Sequence, residues 1–474
     1  MILHRILTRP ELRELLQLSL PVVVVQVGIM TMGVVDVIMV GHVSAAALAS
    51  VALGNLYVFG LSAFGMGALL ALDPVIAQAV GARNDAGVSR GLQRGLVLCA
   101  LLAAGTSLLL LPAAPVMRAL KQPAVIVPEA AAYARIAIPG ILPFFAFIVL
   151  RQTLQAMGRL RPIVLSILVA NMANVGLNWV FIYGKLGSPA LGVAGASIAT
   201  SLSRMLMALM LLALAWKLVR PHLWPVRAEV RQLAPLVRMI RLGVPIGAQF
   251  QLEFGAFAVI AVLMGWLGPI AMAGHQVAIN LAAFTYMVPL GVSAAAAVLV
   301  GRAVGRGDAE SARRFAQSAV FCGVGFMALT GILFLAMPGV LARIYTADAQ
   351  VIALSATLIP LAGLFQIFDG LQVVATGVLR GAGDTRAPMV VNVLGFWLAG
   401  MPISVYFGLH TAAGPRGLWW GLVTGLATVA LILLFRVRHR LRGDVRALLI
   451  DDDAHAESRT ARGVRVAGVA EGEA

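Results

Sequence analysis

The sequence predicts an all-α polytopic membrane protein, with twelve transmembrane helices in two six-helix lobes related by a parallel internal repeat. Three observations carry that reading. Of the 474 residues, 60% are hydrophobic and only 12% charged, where a soluble domain averages roughly 25% charged. Apolar runs of about 20 residues, the length that crosses a bilayer, recur along the chain between short loops rich in Arg, Gly and Pro. The chain is also written twice: at an offset of 224, Pro21 in "SLPVVVVQ" meets Pro245 in "GVPIGAQF", and the "AVG" at 79–81 meets the "AVG" at 303–305. By the fourth and tenth spans the offset is 225, which aligns Leu154 with Leu379, Gly158 with Gly383 and Arg161 with Arg386. Six spans followed by six more, with equivalent loops on the same side, are parallel repeats about an axis along the membrane normal.

Each element follows in order. Residues 1–14, "MILHRILTRPELRE", place three arginines ahead of the first span. That span, 15–39, is too long for a removable signal and has no small-residue cleavage site, so it stays in the mature protein. The second span, 46–71, stops short of Asp73 and Pro74; the third, 95–115, holds Cys99. Spans at 131–152, 163–184 and 193–216 complete the N-lobe, 15–216. The stretch 217–239, basic and broken by prolines, is a cytoplasmic linker. The C-lobe, 240–436, repeats the plan with spans at 240–264, 272–299, 316–337 (holding Cys322), 351–377, 388–408 and 417–436. Residues 437–474 form a cytoplasmic tail whose polar end, with "DDD" at 451–453, is expected to be partly disordered. Two cysteines inside apolar spans suggest packing, not a disulfide framework. Glycines four apart, Gly243 with Gly247, Gly301 with Gly305 and Gly417 with Gly421, allow close helix approach.

The net charge of +16 is a matter of topology. Most Lys and Arg residues fall in the N-terminus, alternate loops, the linker and the segment after the last span, which is the positive-inside pattern and puts both termini in the cytoplasm. A basic balance so distributed reads as contact with anionic lipid, not nucleic acid.

Function concentrates in polar residues that membrane helices ordinarily avoid. Asp36, Glu253 and Asp369 fall deep within predicted spans. A charged residue at a span centre costs roughly 2.5–3.5 kcal/mol on insertion scales, so such residues usually face a cavity and mark an ion or substrate path; the plain structural reading is a protonated or hydrogen-bonded carboxylate. Asp73 is expected to reach water at a span end. In "VANMANVGLNWVFIYG", Asn174 and Asn178 share one helix face, Asn171 extends the stripe, and Thr200 lies in the next span. With Asp36 these oxygens suit Na⁺ or a proton carrier; otherwise they are interhelical hydrogen bonds. In "AGHQVAIN", Gln276 and Asn280 share a face beside His275, more often a packed residue than a ligand. With Met32, these three are candidates to line a cavity. Nineteen Met and nineteen Phe would make such a cavity adaptable, or simply fill core and lipid-facing surface.

The repeated six-span plan together with "GVVDVIMVG", "GLNWVFIYGKLG", "AGHQVAIN" and "GVLRGAGDT" closely resembles the multidrug and toxic compound extrusion (MATE) family, NorM branch, from about Leu15 to Arg436. The resemblance implies the MATE fold in a bacterial inner (plasma) membrane. It implies export of cationic or amphiphilic drugs by alternating access, in antiport with Na⁺ or H⁺ as coupling ion, with no other cofactor. It maps the family's N-lobe cation pocket onto Asp36, Asn174, Asn178 and Thr200, and its C-lobe acidic pair onto Glu253 and Asp369, so that Na⁺ would sit at Asp36 or at the Glu253 and Asp369 pair. Where relatives often carry Tyr four positions before that last Asp, this chain has Phe365, which loses a hydroxyl and keeps an aromatic face for cation attraction. Two lobes in one chain complete a cavity, so a monomer suffices.

Rival readings are a lipid-linked or oligosaccharide flippase of related fold, for which a strongly cationic cavity is expected whereas Arg204 is the cation that stands out in the spans, and an intramembrane aspartyl protease. For the protease, "GAGD" at 381–384 matches Gly-x-Gly-Asp in form, yet it lies in a basic loop, and that chemistry needs paired carboxylates inside the membrane. No P-loop, His-Glu-x-x-His or Gly-x-Ser-x-Gly motif occurs, which argues against an enzyme. Ile260 occupies the repeat position of Asp36, so the two lobes have diverged.

Overall fold

The computed structural model describes residues 10–443, 446–448 and 450. Among them, twelve helices are long and apolar enough to cross a membrane: α1 Pro10–Gly41, α2 Ala45–Gly81, α3 Asp85–Leu110, α4 Ile138–Ala156, α5 Arg161–Tyr183, α6 Gly192–Leu214, α7 Leu233–Trp266, α8 Pro269–Gly305, α9 Ala309–Ala336, α10 Ala349–Gly381, α11 Arg386–Leu409 and α12 Pro415–Arg440. Most run further than the apolar windows. The helix hydrogen-bond ladder does not stop where the hydrocarbon does, so α1 and α7 reach back to Pro10 and Leu233 through their arginine-bearing turns. The second span passes 71 because a new helical segment starts at Leu72 with Pro74 in its first turn, where no amide donor is required. The expected linker is itself structured, with a helix at Trp216–Leu223 ahead of α7. Most of the tail expected to be disordered lies outside the described residues.

The internal repeat is visible in local chemistry. Asn84 caps α3 by accepting the Gly87 N–H at 2.7 Å, and its repeat partner Asp308 caps α9 by accepting the Ser311 N–H at 2.9 Å. Two hydrophobic cores form, one per lobe, with an exchange between them. Leu15 at the start of α1 packs in the C-lobe core, and its repeat partner Met239 at the start of α7 packs in the N-lobe core. Both entry turns therefore cross to the opposite lobe, and the boundaries at 15 and 240 do not coincide with the packing units.

The lobes meet through symmetry-related pairs, α1 with α8 and α7 with α2, and through α2 against α8. Small residues permit this. A Cβ at Gly81 would lie 2.1 Å from the Arg302 carbonyl oxygen, and one at Gly305 would lie 2.1 Å from the Gln78 carbonyl oxygen; these are the glycines of the two "AVG" copies, facing each other. Gly243 and Gly247 abut the Ala68 and Phe64 carbonyls, and Gly291 abuts Val23. The seam is thus closed at the end bearing the arginine-rich loops. Crossing hydrogen bonds join it there: Gln155 donates to Ala294 O, Arg302 to Ala156 O and Gln78 to Gly381 O. Gln78 also accepts from the Leu448 N–H at 2.7 Å, and Arg238 donates to Ile450 O at 2.8 Å, so this part of the tail lies across the same seam.

Candidate functional site

Helix α1 presents Asp36 to the interior of the N-lobe at 2% exposure, four residues after Met32 and three before Met39, whose carbonyl accepts Tyr183 Oη at 2.7 Å. That bond pins the end of α1 to α5. The i, i+4 spacing of Asn174 and Asn178 on α5 delivers both amides to the carboxylate: Asn178 Nδ2 donates to Asp36 Oδ1 at 2.6 Å and Asn174 Nδ2 to the same oxygen at 3.3 Å. Thr200 of α6 donates to Asp36 Oδ2. Asn178 Nδ2 also donates to Asn174 Oδ1 at 3.2 Å. Three helices thereby converge on one carboxylate, and the four residues that the resemblance maps as a pocket are in mutual contact. The Oδ1 of Asn178 is buried with no hydrogen-bond partner. Asn171 does not join; its amide donates to Ile167 O on its own helix. Arg204 lies over the Phe144 ring at 4.8 Å, close enough to interact electrostatically with Asp36.

In the C-lobe, the buried Asp369 of α10 lies in the field of Glu253 on α7. Sequence reasoning missed three of their neighbours. Gln372 and Asn392 face Glu253, and Tyr286 of α8 lies in the field of both carboxylates. Gln372 sits three residues after Asp369, on the same helix face, a spacing that could have found it; Asn392 is an isolated amide in an apolar run. The Oε1 of Gln372 is buried without a hydrogen-bond partner. A π-helical stretch, Val393–Gly400, starts directly after Asn392, a device often found at functional sites. Elsewhere in the lobe, Gln366 Oε1 accepts from Thr330 at 3.2 Å and from Thr285.

Several expectations need correction. Phe365 is 1% exposed and packs edge-on against Phe257 and Trp419, with centroids 6.1 and 5.9 Å away. Its ring is part of the C-lobe core. His275 is likewise buried against Trp419 at 5.7 Å, while Gln276 and Asn280, at 3.4 Å from each other, turn to the accessible side of α8. Met32 is buried in the N-lobe core, so neither it nor His275 lines an open cavity. Asp73 does not reach water: it is 1% exposed, and the Arg380 Nε lies 3.0 Å from its Oδ2. Asp384 of the "GAGD" stretch is paired with Arg436 at 2.8 Å.

Comparison with known proteins agrees with this arrangement. The MatE family model matches residues 21–180 and 245–406, once per lobe. The chain is 37% identical over 450 residues to a probable multidrug resistance protein NorM of Mesorhizobium japonicum, covering 92% of this chain and 95% of the relative. It is 34% identical over 437 residues to a multidrug resistance protein MdtK of Edwardsiella ictaluri, covering 90% and 95%. Among solved structures, an outward-facing multidrug resistance MATE family transporter superposes with a TM-score of 0.83 at 20% identity, covering 92% and 97%. A eukaryotic MATE transporter superposes with 0.82 at 22%, covering 91% and 99%; both likenesses concern the fold. The two-lobed bundle, the doubled family match and the extent of these likenesses together make this chain a member of the MATE family, an integral membrane transporter and not an enzyme.

Proposed function

We propose that this protein is a secondary active multidrug exporter of a bacterial inner membrane, with both termini in the cytoplasm, which expels cationic or amphiphilic compounds in exchange for Na⁺ or H⁺. The observation that carries the reading is the Asp36 cluster, one carboxylate receiving three side-chain donors inside a membrane-spanning bundle. A coupling cation, or a proton, would neutralise Asp36 and turn the two amides so that their oxygens, including the free Oδ1 of Asn178, face the added charge. A cationic drug is drawn by the same negative charge in either lobe, at Asp36 or at Glu253 and Asp369, so loading the ion weakens the hold on the drug. Mutual exclusion of the two is what antiport requires. The drive is the inward fall of the cation, about 2.3 kcal/mol per charge per 100 mV. The relatives named for multidrug resistance support the substrate class, and the glycine-lined seam between two separately packed lobes supports alternating access by rocking.

The test is ethidium efflux from proteoliposomes under an imposed Na⁺ gradient or an imposed pH gradient. Wild-type protein transports under at least one, and Asp36→Asn abolishes efflux while remaining folded in the membrane. Efflux driven by neither gradient, or full activity of the Asn variant, refutes the reading.

A further inference from the structure

The Asp73 carboxylate lies on α2 of the N-lobe, at the closed, arginine-rich end of the seam. Two arginines serve it. Arg380, the penultimate residue of α10, reaches across from the C-lobe with Nε at 3.0 Å and is itself buried. Arg151 comes from α4 of the same lobe as Asp73 and interacts with that carboxylate. Gln26 Oε1 accepts from Arg151 Nη1 at 3.0 Å, while Arg151 Nε is buried with no partner. Gln152 is the remaining polar neighbour of the carboxylate. The repeat does not reproduce the group: the positions equivalent to Asp73, Arg151 and Arg380 hold Ala297, Thr376 and Gln155.

Such a surplus of cation has a physical use. An ion pair spanning a dry seam ties the lobes together, but parting them would leave a buried carboxylate with no counter-charge, which is among the most costly changes a protein interior undergoes. A second arginine travelling with the carboxylate removes that obstacle. We propose that Asp73, Arg380 and Arg151 form an inter-lobe latch with a built-in handover. Arg380 binds Asp73 while the arginine-rich end is closed, and Arg151 takes the carboxylate when the lobes part there. This rests on the alternating-access reading above. The two arginines then have opposite effects: Arg380 favours the closed seam and Arg151 favours its opening.

The test is the rate at which a membrane-impermeant maleimide labels a cysteine placed in the seam, in the full chain carrying Cys99→Ala and Cys322→Ala. Ala77→Cys is suitable, since the Ala77 Cβ lies 2.8 Å from where a Cβ on Gly301 would be. The reagent is applied to the arginine-rich face in reconstituted vesicles, without drug or gradient. Arg380→Gln is expected to label about tenfold faster than the parent, a population shift of the size expected for loss of one inter-lobe charge contact, and Arg380→Lys to stay near it. Arg151→Gln is expected to label several-fold more slowly than the parent. Should Arg380→Gln fail to fold, the double variant Asp73→Asn, Arg380→Gln leaves no carboxylate to strand and is expected to label as fast. Both arginine variants shifting in the same direction, or neither shifting, overturns the latch. Labelling needs no transport, so opposite shifts in a protein that effluxes dye under neither gradient would keep the latch and refute the antiport.

Discussion

At the scale of single residues, the contacts around Asp36 are legible because a helix carries its own ruler. A spacing of four puts Asn174 and Asn178 on one face, and an acid in an apolar run demands donors, so Asp36 and these amides were readable as partners before their contacts were known. What residue identity does not disclose is which way a helix faces. Met32 and His275 sit on spans that also carry candidate residues yet point into packed cores, and Asp73, at a span end in the sequence, is held by Arg380 instead of water. Of the two amide donors to Asp36, Asn178 makes the shorter bond, 2.6 Å against 3.3 Å, and is the informative one to remove. Asn178→Leu loses a charge-assisted hydrogen bond worth about 1.5–3 kcal/mol, or roughly 10- to 100-fold in ion affinity at 1.4 kcal/mol per decade. If protons couple transport, the anion is destabilised and half-maximal efflux moves to higher pH. If Na⁺ does, the lost Oδ1 ligand raises the Na⁺ concentration at half-maximal rate. Dye efflux titrated against each ion checks the direction, and an unmoved midpoint for both excludes Asn178 from the site.

At the scale of elements, the seam depends on helices whose backbones nearly touch. The glycine pairs recognised in the sequence do this work, Gly243 and Gly247 against α2, and Gly301 and Gly305 against the end of the same helix. Gly305→Val would drive a Cβ into the Gln78 carbonyl, 2.1 Å away, and overpacking of this kind costs about 1–3 kcal/mol. Since each lobe keeps its own core, the expected outcome is a protein that folds but closes poorly at the arginine-rich end. Ala77→Cys in that variant should react with maleimide faster, and efflux should fall at least about tenfold for a shift of this energy. Unchanged labelling and efflux would show that the close approach is dispensable.

At the scale of the whole molecule, alternating access requires that the closed end open once per cycle. The Cβ separation implied between Ala77 and Gly301, 2.8 Å, needs to widen by less than about 1 Å to reach disulfide geometry. A chain with Ala77→Cys and Gly301→Cys, and both native cysteines replaced, should therefore lose efflux on oxidation and recover it with a reductant. Full efflux of the cross-linked chain would refute rocking of the lobes about this seam. The tail residues Leu448 and Ile450, bonded to Gln78 and Arg238, cross the same region and would have to release with it.

Sequence by itself determined what depends on composition and short-range periodicity. Twelve apolar windows, a doubled pattern, the i, i+4 amides and the intramembrane acids are all properties of residues within a few turns of one another, so they could be read along the chain. Only the tertiary structure decided what depends on the rotation and exchange of helices. It brought Thr200 and the two amides onto Asp36, set Gln372 and Asn392 beside Glu253, and turned the Phe365 ring into the core. It also sent the first turns of α1 and α7 into the opposite lobes and matched Asp73 with an arginine 307 positions later. In a membrane a helix can be apolar on every side and still stable, so its sequence carries little record of which face meets a neighbour; packing alone settles that.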